Sequence, residues 1–236
     1  MPTLPLPSDY PRIRLVGSFE ELVSIPFGDG VNALCWPRTL AGDFGEVVGH
    51  LTLDEDLLTL DEEMLLALPL SESGKAAVTN LIEDLQRLRD LDLDPVLNAI
   101  TAYPYDEDPG VIPVHVYSFH ADSAPVEAET WLCSYHGAPS EGLRNDQAGR
   151  RIDLPGMREA LLVEYGGDDD ADFSDYLRDR CYDLHYAPLA GAVPFSFGIG
   201  TLWRIAVDYP GSPVPPCLHR APETLPGDPV RLLLIS

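Results

Sequence analysis

The sequence predicts an α+β fold in which a mainly helical part, residues 18–103, precedes a β-rich part, residues 110–236. Apolar residues recur at intervals of three and four between residues 75 and 91, which is typical of an amphipathic helix. After Pro109, short apolar runs alternate with turns that contain Gly and Pro, which is typical of a sandwich or a closed barrel. No long flexible linker separates the two parts, so we expect a single domain over residues 1–236.

The first part opens with a proline-rich segment, residues 1–17, that is predicted to be an extended arm. Ser18 and Glu21 have the spacing of a capping box, so a short helix is expected to follow. The run 31–37 (VNALCWP) is typical of a strand. The segment 94–103 opens with Asp-Pro and is predicted to be a further helix, because Asp is a good N-cap and Pro fits the first turn.

In the second part, each predicted strand is a short run of apolar and β-branched residues. A helix is predicted to interrupt them at 172–185, where aromatic and aliphatic residues share one face. The last strand is almost entirely apolar, which is typical of a buried position. The predicted strands are 111–117, 130–135, 160–164, 194–197, 201–207 and 230–235.

The charge balance excludes two classes of partner. The chain has 15 Lys and Arg against 39 Asp and Glu, a formal net charge of −24. A field of this sign repels nucleic acid and anionic membrane surfaces, so neither is an expected partner. We expect a cytoplasmic protein, because the N-terminus lacks a signal-peptide core, no apolar run is long enough for a membrane span, and the four cysteines form no CxxC motif. The sequence makes no prediction of the oligomeric state.

One histidine motif points to metal binding. Among the six histidines, only His120 is followed two residues later by a carboxylate, that of Asp122. On a strand, residues i and i+2 lie on the same face, so the two side chains can bind one ion together. His219 is the candidate for a second histidine from a distant strand, and such a set leaves three coordination positions open and suits Fe(II). The alternative interpretation is a surface histidine beside a surface aspartate.

A single arginine interrupts the apolar run of the last predicted strand. Arg231 follows His219 by twelve residues. A buried arginine needs an anionic partner. That partner is either an acid of the chain, in an internal salt bridge, or the carboxylate of a bound molecule, which a guanidinium can bind with two parallel hydrogen bonds.

The order of these residues resembles that of the iron- and 2-oxoglutarate-dependent oxygenases. In that family, two histidines and a carboxylate hold Fe(II), and a late basic residue holds the distal carboxylate of 2-oxoglutarate. The resemblance implies a double-stranded β-helix (jelly-roll or cupin-like) core with N-terminal helices packed on it. It implies that His120, Asp122 and His219 are the Fe(II) ligands and that Arg231 binds 2-oxoglutarate.

Five short segments carry a closer resemblance. They are NALCWPR (32–38), FHAD (119–122), WLCSYHGAPSE (131–141), HRAP (219–222) and RLLL (231–234). Together they are similar to the DUF1826 family, a domain family of unknown function, over residues 30–236. The sequence departs from that pattern at Ala138 and Ser140, which stand in place of glycine and threonine. Leu233 stands where the oxygenases often have serine.

We therefore predict an Fe(II)- and 2-oxoglutarate-dependent oxygenase that acts on a small molecule. Two alternatives stay open. The same three ligands would serve a metal-binding cupin-like protein without turnover, in metal handling or regulation. The stretch 42–63, with eight acids and no Lys or Arg, would instead make the protein an interaction domain for a basic partner. Further candidates for substrate contacts, beside the motifs, are Tyr117, Tyr135, His136 and Glu141.

Overall fold

The computed structural model of the chain describes residues 6–103, 110–225 and 227–236. Within these ranges it is a mixed α/β structure with a large, mostly antiparallel sheet and several helices. The strands are β1 (Ile13–Leu15), β2 (Ala33–Trp36), β3 (Leu57–Leu60), β4 (Val96–Ile100), β5 (Glu129–His136), β6 (Glu141–Leu143), β7 (Ala148–Arg150), β8 (Tyr186–Pro188), β9 (Phe195–Ser196), β10 (Leu202–Ala206), β11 (Leu218–Arg220) and β12 (Arg231–Ile235). The α-helices are α1 (Phe19–Ser24), α2 (Phe44–Gly49), α3 (Glu62–Ala67), α4 (Glu72–Arg89), α5 (Met157–Tyr165) and α6 (Ala171–Asp179).

The large sheet has seven strands in the order β1-β2-β10-β5-β12-β4-β3. Neighbouring strands are antiparallel except for β1 and β2. A smaller sheet has the order β11-β6-β9, and β7 pairs with β8. His120 forms an antiparallel bridge to His219 of β11, so its segment extends the edge of the small sheet. No barrel is closed by the described strands.

The large sheet lies between two apolar layers. On one face, Trp131 and Cys133 of β5 belong to a core that also contains residues of α1, α2, α3 and α4. On the other face, Leu132 of β5 and Trp203 of β10 pack with Phe197, which follows the short strand β9 of the small sheet. Successive residues of β5 thus serve opposite cores, as the two-residue period of a strand requires. The expected packing of N-terminal helices on a sheet is confirmed.

The N-terminal part contributes more to the sheet than the sequence indicated. Helices α1 to α4 lie within residues 18–103, but so do strands β2, β3 and β4. The predicted arm contains β1, which pairs in parallel with β2, while its residues 1–5 lie outside the described ranges. The N-cap half of the capping box is present, because the backbone N–H of Glu21 donates to Ser18 Oγ at 3.2 Å, whereas the Glu21 carboxylate accepts from the N–H of Gly17 at 2.7 Å. Among the described residues, no helix has both the length and the hydropathy of a membrane span.

Three predicted elements are wrong, and one is too long. Segment 94–103 contains β4 rather than a helix, because its apolar residues pair with both β12 and β3. The run 160–164 belongs to α5, which buries only Leu161. The run 111–117 forms bends and turns instead of a strand.

The helix predicted for 172–185 ends earlier, at the end of α6, because Cys181 adopts a left-handed φ of 58°. The other predicted strands of the second part are confirmed as β5, β9, β10 and β12.

Gly142 of β6 is expected to tolerate no side chain. A Cβ built on it would overlap Cζ of Phe195 and lie 2.7 Å from Cε1 of Phe197. We expect Gly142→Ala to lower the free energy of unfolding by about 1–3 kcal/mol, the usual cost of overpacking a core. Urea unfolding measures this effect. The control is Gly149→Ala in β7, where the nearest atom to a built Cβ lies at an ordinary 3.5 Å. Equal losses in the two variants would contradict the expectation.

Candidate metal centre

Two histidines far apart in sequence are joined by backbone pairing. The N–H of His120 donates to the carbonyl oxygen of His219 at 2.9 Å, and the N–H of His219 donates to that of His120 at 3.0 Å. Their ring centroids are 4.6 Å apart. The ring of His219 also stacks near Phe197, so the pair faces the core between the two sheets.

Asp122 completes a converging group with the two histidines. Each of the three side chains offers one ligand atom, and these atoms lie within 4.8 Å of one another. Nε2 of His120 is 3.9 Å from Oδ1 of Asp122, and Nε2 of His219 is 3.6 Å from Oδ2. Separations of this size leave space for one ion at the usual metal–ligand distances of about 2.0–2.2 Å. In the part of the chain that the structure describes, no other three His, Cys, Asp or Glu side chains form such a group.

The backbone orients both imidazoles. Nδ1 of His120 lies 2.7 Å from the carbonyl oxygen of Ser118, and Nδ1 of His219 lies 3.4 Å from that of Cys217. A carbonyl oxygen only accepts a hydrogen bond, so Nδ1 carries the hydrogen and the lone pair resides on Nε2. Both Nε2 lone pairs are therefore available to a shared ion.

The protonation states suit a cation. Burial, with a further contribution from His219, lowers the pKa of His120 to about 4, so its imidazole is neutral at neutral pH. Burial opposes ionisation of Asp122. Its interactions with His219, Thr130 and His120 outweigh burial, and the pKa of the carboxyl is lowered. Neutral imidazoles and an ionised carboxylate are the forms that bind a divalent metal.

The large sheet supports the carboxylate through Thr130 of β5. Its hydroxyl donates to Oδ2 of Asp122 at 2.6 Å. We expect Thr130→Val to lower metal affinity by about 10- to 100-fold, because a ligand that loses its supporting hydrogen bond is less well oriented. A competition titration with Co(II) on the metal-free protein measures this. Thr59→Val in β3 is the control, because that hydroxyl bonds Asn98. An affinity as high in Thr130→Val as in the control would contradict the role.

The guanidinium of Arg231 is buried and hydrogen-bonded to neutral groups. Its guanidinium donates from Nε to the carbonyl oxygen of Ala138 at 2.8 Å, and from its Nη atoms to the hydroxyls of Tyr103 and Ser140, each at 3.3 Å. It is 1% exposed, and no carboxylate of the described residues forms an ion pair with it. Burial lowers its pKa, yet a guanidinium stays charged. The internal salt bridge considered from the sequence is therefore not present within the described residues.

Arg231 points to the side of the large sheet on which the metal group lies. Its partner in register on β4 is Ile100, which packs in the core between the two sheets. Thr130 of β5, which contacts Asp122, is likewise opposite Ile205 of that core. Directly paired residues share a face of a sheet, so both side chains approach the same interior.

Two predicted substrate contacts lie close to these residues. The hydroxyl of Tyr117 accepts from the N–H of Tyr103 at 2.8 Å, and the two rings form an edge contact. Both tyrosines line a cavity of about 420 Å³, next to the guanidinium of Arg231. Glu141 forms an ion pair with Arg220, the neighbour of His219 on β11, at 2.7 Å.

The other two predicted contacts lie elsewhere. Tyr135 belongs to the core that includes the N-terminal helices, and its hydroxyl donates to Asp84 of α4 at 2.7 Å. Nδ1 of His136 is 2.8 Å from the carbonyl oxygen of Val230. The structure does not bring Tyr135 to the metal group, because the alternation of β5 directs it to the opposite face.

Sequence reasoning missed His185. The structure bridges it to His120, on the opposite side from His219, with the ring centroids 5.6 Å apart. The predicted helix 172–185 concealed this, because a helix would not have extended beside the His120 segment. Comparisons of the chain with family models, with curated proteins and with solved structures give no match in any of the three.

Proposed function

We propose that the protein is a mononuclear non-haem Fe(II)- and 2-oxoglutarate-dependent oxygenase that acts on a small molecule. The observation that carries the proposal is the pairing of two features in one interior. One is the group of His120, Asp122 and His219, and the other is the buried Arg231 without a carboxylate partner in the described residues. A cosubstrate with a 2-oxo acid at one end and a carboxylate at the other would satisfy both.

The strand pairing supports a double-stranded β-helix core. A jelly roll is an eight-stranded chain folded on itself, so that strands 1 and 8, 2 and 7, 3 and 6, and 4 and 5 pair. Take β4 as the first strand and the His120 segment as the second, followed by β5, β6, β9, β10, β11 and β12. The observed antiparallel pairs are then β4 with β12, His120 with β11, β5 with β10, and β6 with β9. Strand β11 therefore has two neighbours: the His120 segment on one side, through the bridge at His219, and β6 on the other.

In this proposal His120, Asp122 and His219 hold Fe(II), and Arg231 holds the distal carboxylate of 2-oxoglutarate. When bound, the metal and cosubstrate supply the oxidising chemistry. The chain orients the ligands through Thr130 and the backbone carbonyls described above. On one side of the site, the ring of His219 stacks on Phe197 of the core between the sheets, while the carboxylate of Asp122 is 32% exposed. Membership of the DUF1826 family and a cytoplasmic location stay proposals that rest on the sequence.

The test is an anaerobic titration of metal-free protein with Fe(II) and then 2-oxoglutarate, followed through the visible charge-transfer band. We expect a band that saturates at one equivalent of each. His120→Ala should abolish the band by removing the metal. Arg231→Ala should keep the metal. It should raise the 2-oxoglutarate concentration that gives half of the maximal band by at least about tenfold, because a buried charge-assisted pair is lost. Arg14→Ala, an exposed arginine of β1, is the control and should match the unaltered protein.

Two outcomes would overturn the proposal. Metal that binds through His120 but gives no band with 2-oxoglutarate would indicate a cupin-like metal-binding protein. If no stoichiometric metal binds, the remaining alternative is an interaction domain that contacts a basic partner through the acidic stretch 42–63. Within that stretch, Asp43 and Asp61 cap α2 and α3, and Glu46 accepts hydrogen bonds from Ser71, so these three acids already have structural partners.

A further inference from the structure

A second group of basic side chains lies beside the metal centre, on the segment that joins β6 to β9. Arg151 directly follows β7, and His185 directly precedes β8. The ladder of these strands pairs Arg150 with Tyr186, and the N–H of Arg151 donates to the carbonyl oxygen of His185 at 2.8 Å. Two residues that are distant in sequence are thus held side by side.

This segment is attached to the strand that carries the metal ligands. The N–H of Ala121 donates to the carbonyl oxygen of Leu184 at 3.0 Å, and the N–H of Tyr186 donates to that of Phe119 at 2.8 Å. The His120 segment therefore lies between β11 and the start of β8. His185 is not a member of the converging ligand group, although its ring neighbours that of His120.

Two buried nitrogens of this pair have no hydrogen-bond partner. His185 is 5% exposed, and its Nδ1 is buried and without a partner among the described residues. The Nε of Arg151 is in the same condition, and no described carboxylate forms an ion pair with that guanidinium. Buried polar atoms are almost always hydrogen-bonded. Ser118 Oγ and Asp183 Oδ1 also lack a partner within the described ranges. The two nitrogens, however, belong to residues joined by a backbone hydrogen bond, and one of them is on a cation, so a single acceptor could satisfy both.

The surroundings are basic in a chain that is strongly acidic overall. The imidazole of His185 has three basic neighbours, His120, Arg151 and His115. Burial and Arg151 also lower the pKa of His115. His115 lines the cavity of about 420 Å³ that contains Tyr103 and Tyr117, where Glu223 is the acidic residue. Through Tyr103 this cavity adjoins Arg231, and through His115 it approaches Arg151.

We infer that Arg151 and His185 form an oxyanion subsite, and that the substrate is a small acid with a carboxylate or phosphate group. The guanidinium supplies the positive charge and the Nε hydrogen, and the imidazole supplies a second donor from Nδ1. The assignment to the substrate rests on the proposed oxygenase function. Anion binding itself requires no metal, so the two can be tested separately.

The experiment is calorimetric titration of the metal-free full chain with inorganic phosphate and, separately, with acetate. We expect saturable binding at one equivalent of at least one probe, and the tighter probe identifies the group. Arg151→Gln should weaken binding by at least about tenfold because it removes the positive charge, and His185→Gln should also weaken it because it removes the imidazole Nδ1 donor. Arg150→Gln is the matched control, since it changes the charge equally one residue away, where Nε bonds the carbonyl oxygen of Asp183. That variant should match the unaltered protein.

Arg231→Gln separates this subsite from the proposed 2-oxoglutarate site. Phosphate or acetate binding that survives Arg231→Gln but not Arg151→Gln supports the inference. Binding lost in Arg231→Gln and kept in Arg151→Gln would overturn it, as would binding insensitive to both or no saturable binding. Loss of Co(II) affinity in His185→Gln would also overturn it, because His185 would then be a metal ligand. A missing charge-transfer band with Fe(II) and 2-oxoglutarate would count against the oxygenase proposal and the assignment of the anion to its substrate, but not against the anion subsite itself.

Discussion

Alanine at either His120 or His219 is expected to lower the affinity for Co(II) or Fe(II) by more than about 100-fold, because weakening a supporting residue alone costs 10- to 100-fold. Each variant removes one of only three converging ligand atoms. The remaining pair, one imidazole and the Asp122 carboxylate, cannot form a facial set. Metal competition titrations measure the affinities, and circular dichroism establishes that each variant is folded.

His136→Ala is the matched control for the ligand variants. This histidine also has its Nδ1 against a backbone carbonyl, that of Val230, but it is not a member of the converging group. We expect its metal affinity to equal that of the unaltered protein. A control that loses metal as severely as His120→Ala would show that any histidine loss acts through folding, and the assignment of the ligands would then fail.

Asp84→Ala is expected to cost about 3–5 kcal/mol of unfolding free energy, because it leaves buried cationic and polar groups without their acceptor. Asp84 of α4 is fully buried and accepts from Arg38 at 2.7 Å, Arg87 at 2.6 Å and Tyr135 at 2.7 Å. Tyr135 belongs to β5, so the cluster joins α4 to the large sheet. Arg38 also donates to the carbonyl oxygen of Gly200. Urea unfolding measures the loss.

The pH dependence of this cluster has a definite sign. Burial opposes ionisation of Asp84, but the hydrogen bond and charge of Arg38, with the hydrogen bonds from Tyr135 and Arg87, outweigh it and lower the pKa. A lowered pKa contributes stability that is complete above the unfolded value of 3.8 and is lost as pH falls through the folded value. The difference in unfolding free energy between the unaltered protein and Asp84→Ala should therefore become smaller as the pH falls below 3.8. Asp90→Ala at the end of α4 is the control and should stay within about 0.5 kcal/mol, as for most surface substitutions.

The spacing of residues predicted the metal group better than it predicted the elements around it. A His-x-Asp pair on an extended segment must share a face, so local geometry alone brings His120 and Asp122 together. The order of the motifs suggested His219, and the backbone bridge places it at the required distance. Arg231 was identifiable because a charge inside an apolar strand is unusual. The absence of an acidic partner within the described residues depends on tertiary packing.

Other features depended on long-range pairing that no local pattern reveals. Segment 94–103 has the start signal of a helix, but two neighbouring strands pair with β4 and override it. Tyr135 was a candidate for a substrate contact, but the two-residue period of β5 directs it to the face covered by the helices. Asp84 interrupts the apolar face of α4 between Leu81 and Leu85, and that interruption was the available signal for the buried cluster. Nothing in the sequence related Arg151 to His185, because only the β7–β8 ladder joins them.

The central position of β12 constrains how the chain can be assembled during translation. This strand is the last of the described elements, yet it separates β5 from β4 in the large sheet. Until residues 231–235 have left the ribosome, β5 and β4 have no shared partner, and their facing edges stay open to incorrect pairing. The helical layer that spans both edges also lacks its complete support until then. The large sheet can therefore form completely only after β12 has been synthesised. A nascent chain stalled before Arg231 would have two exposed sheet edges, a form that chaperones recognise.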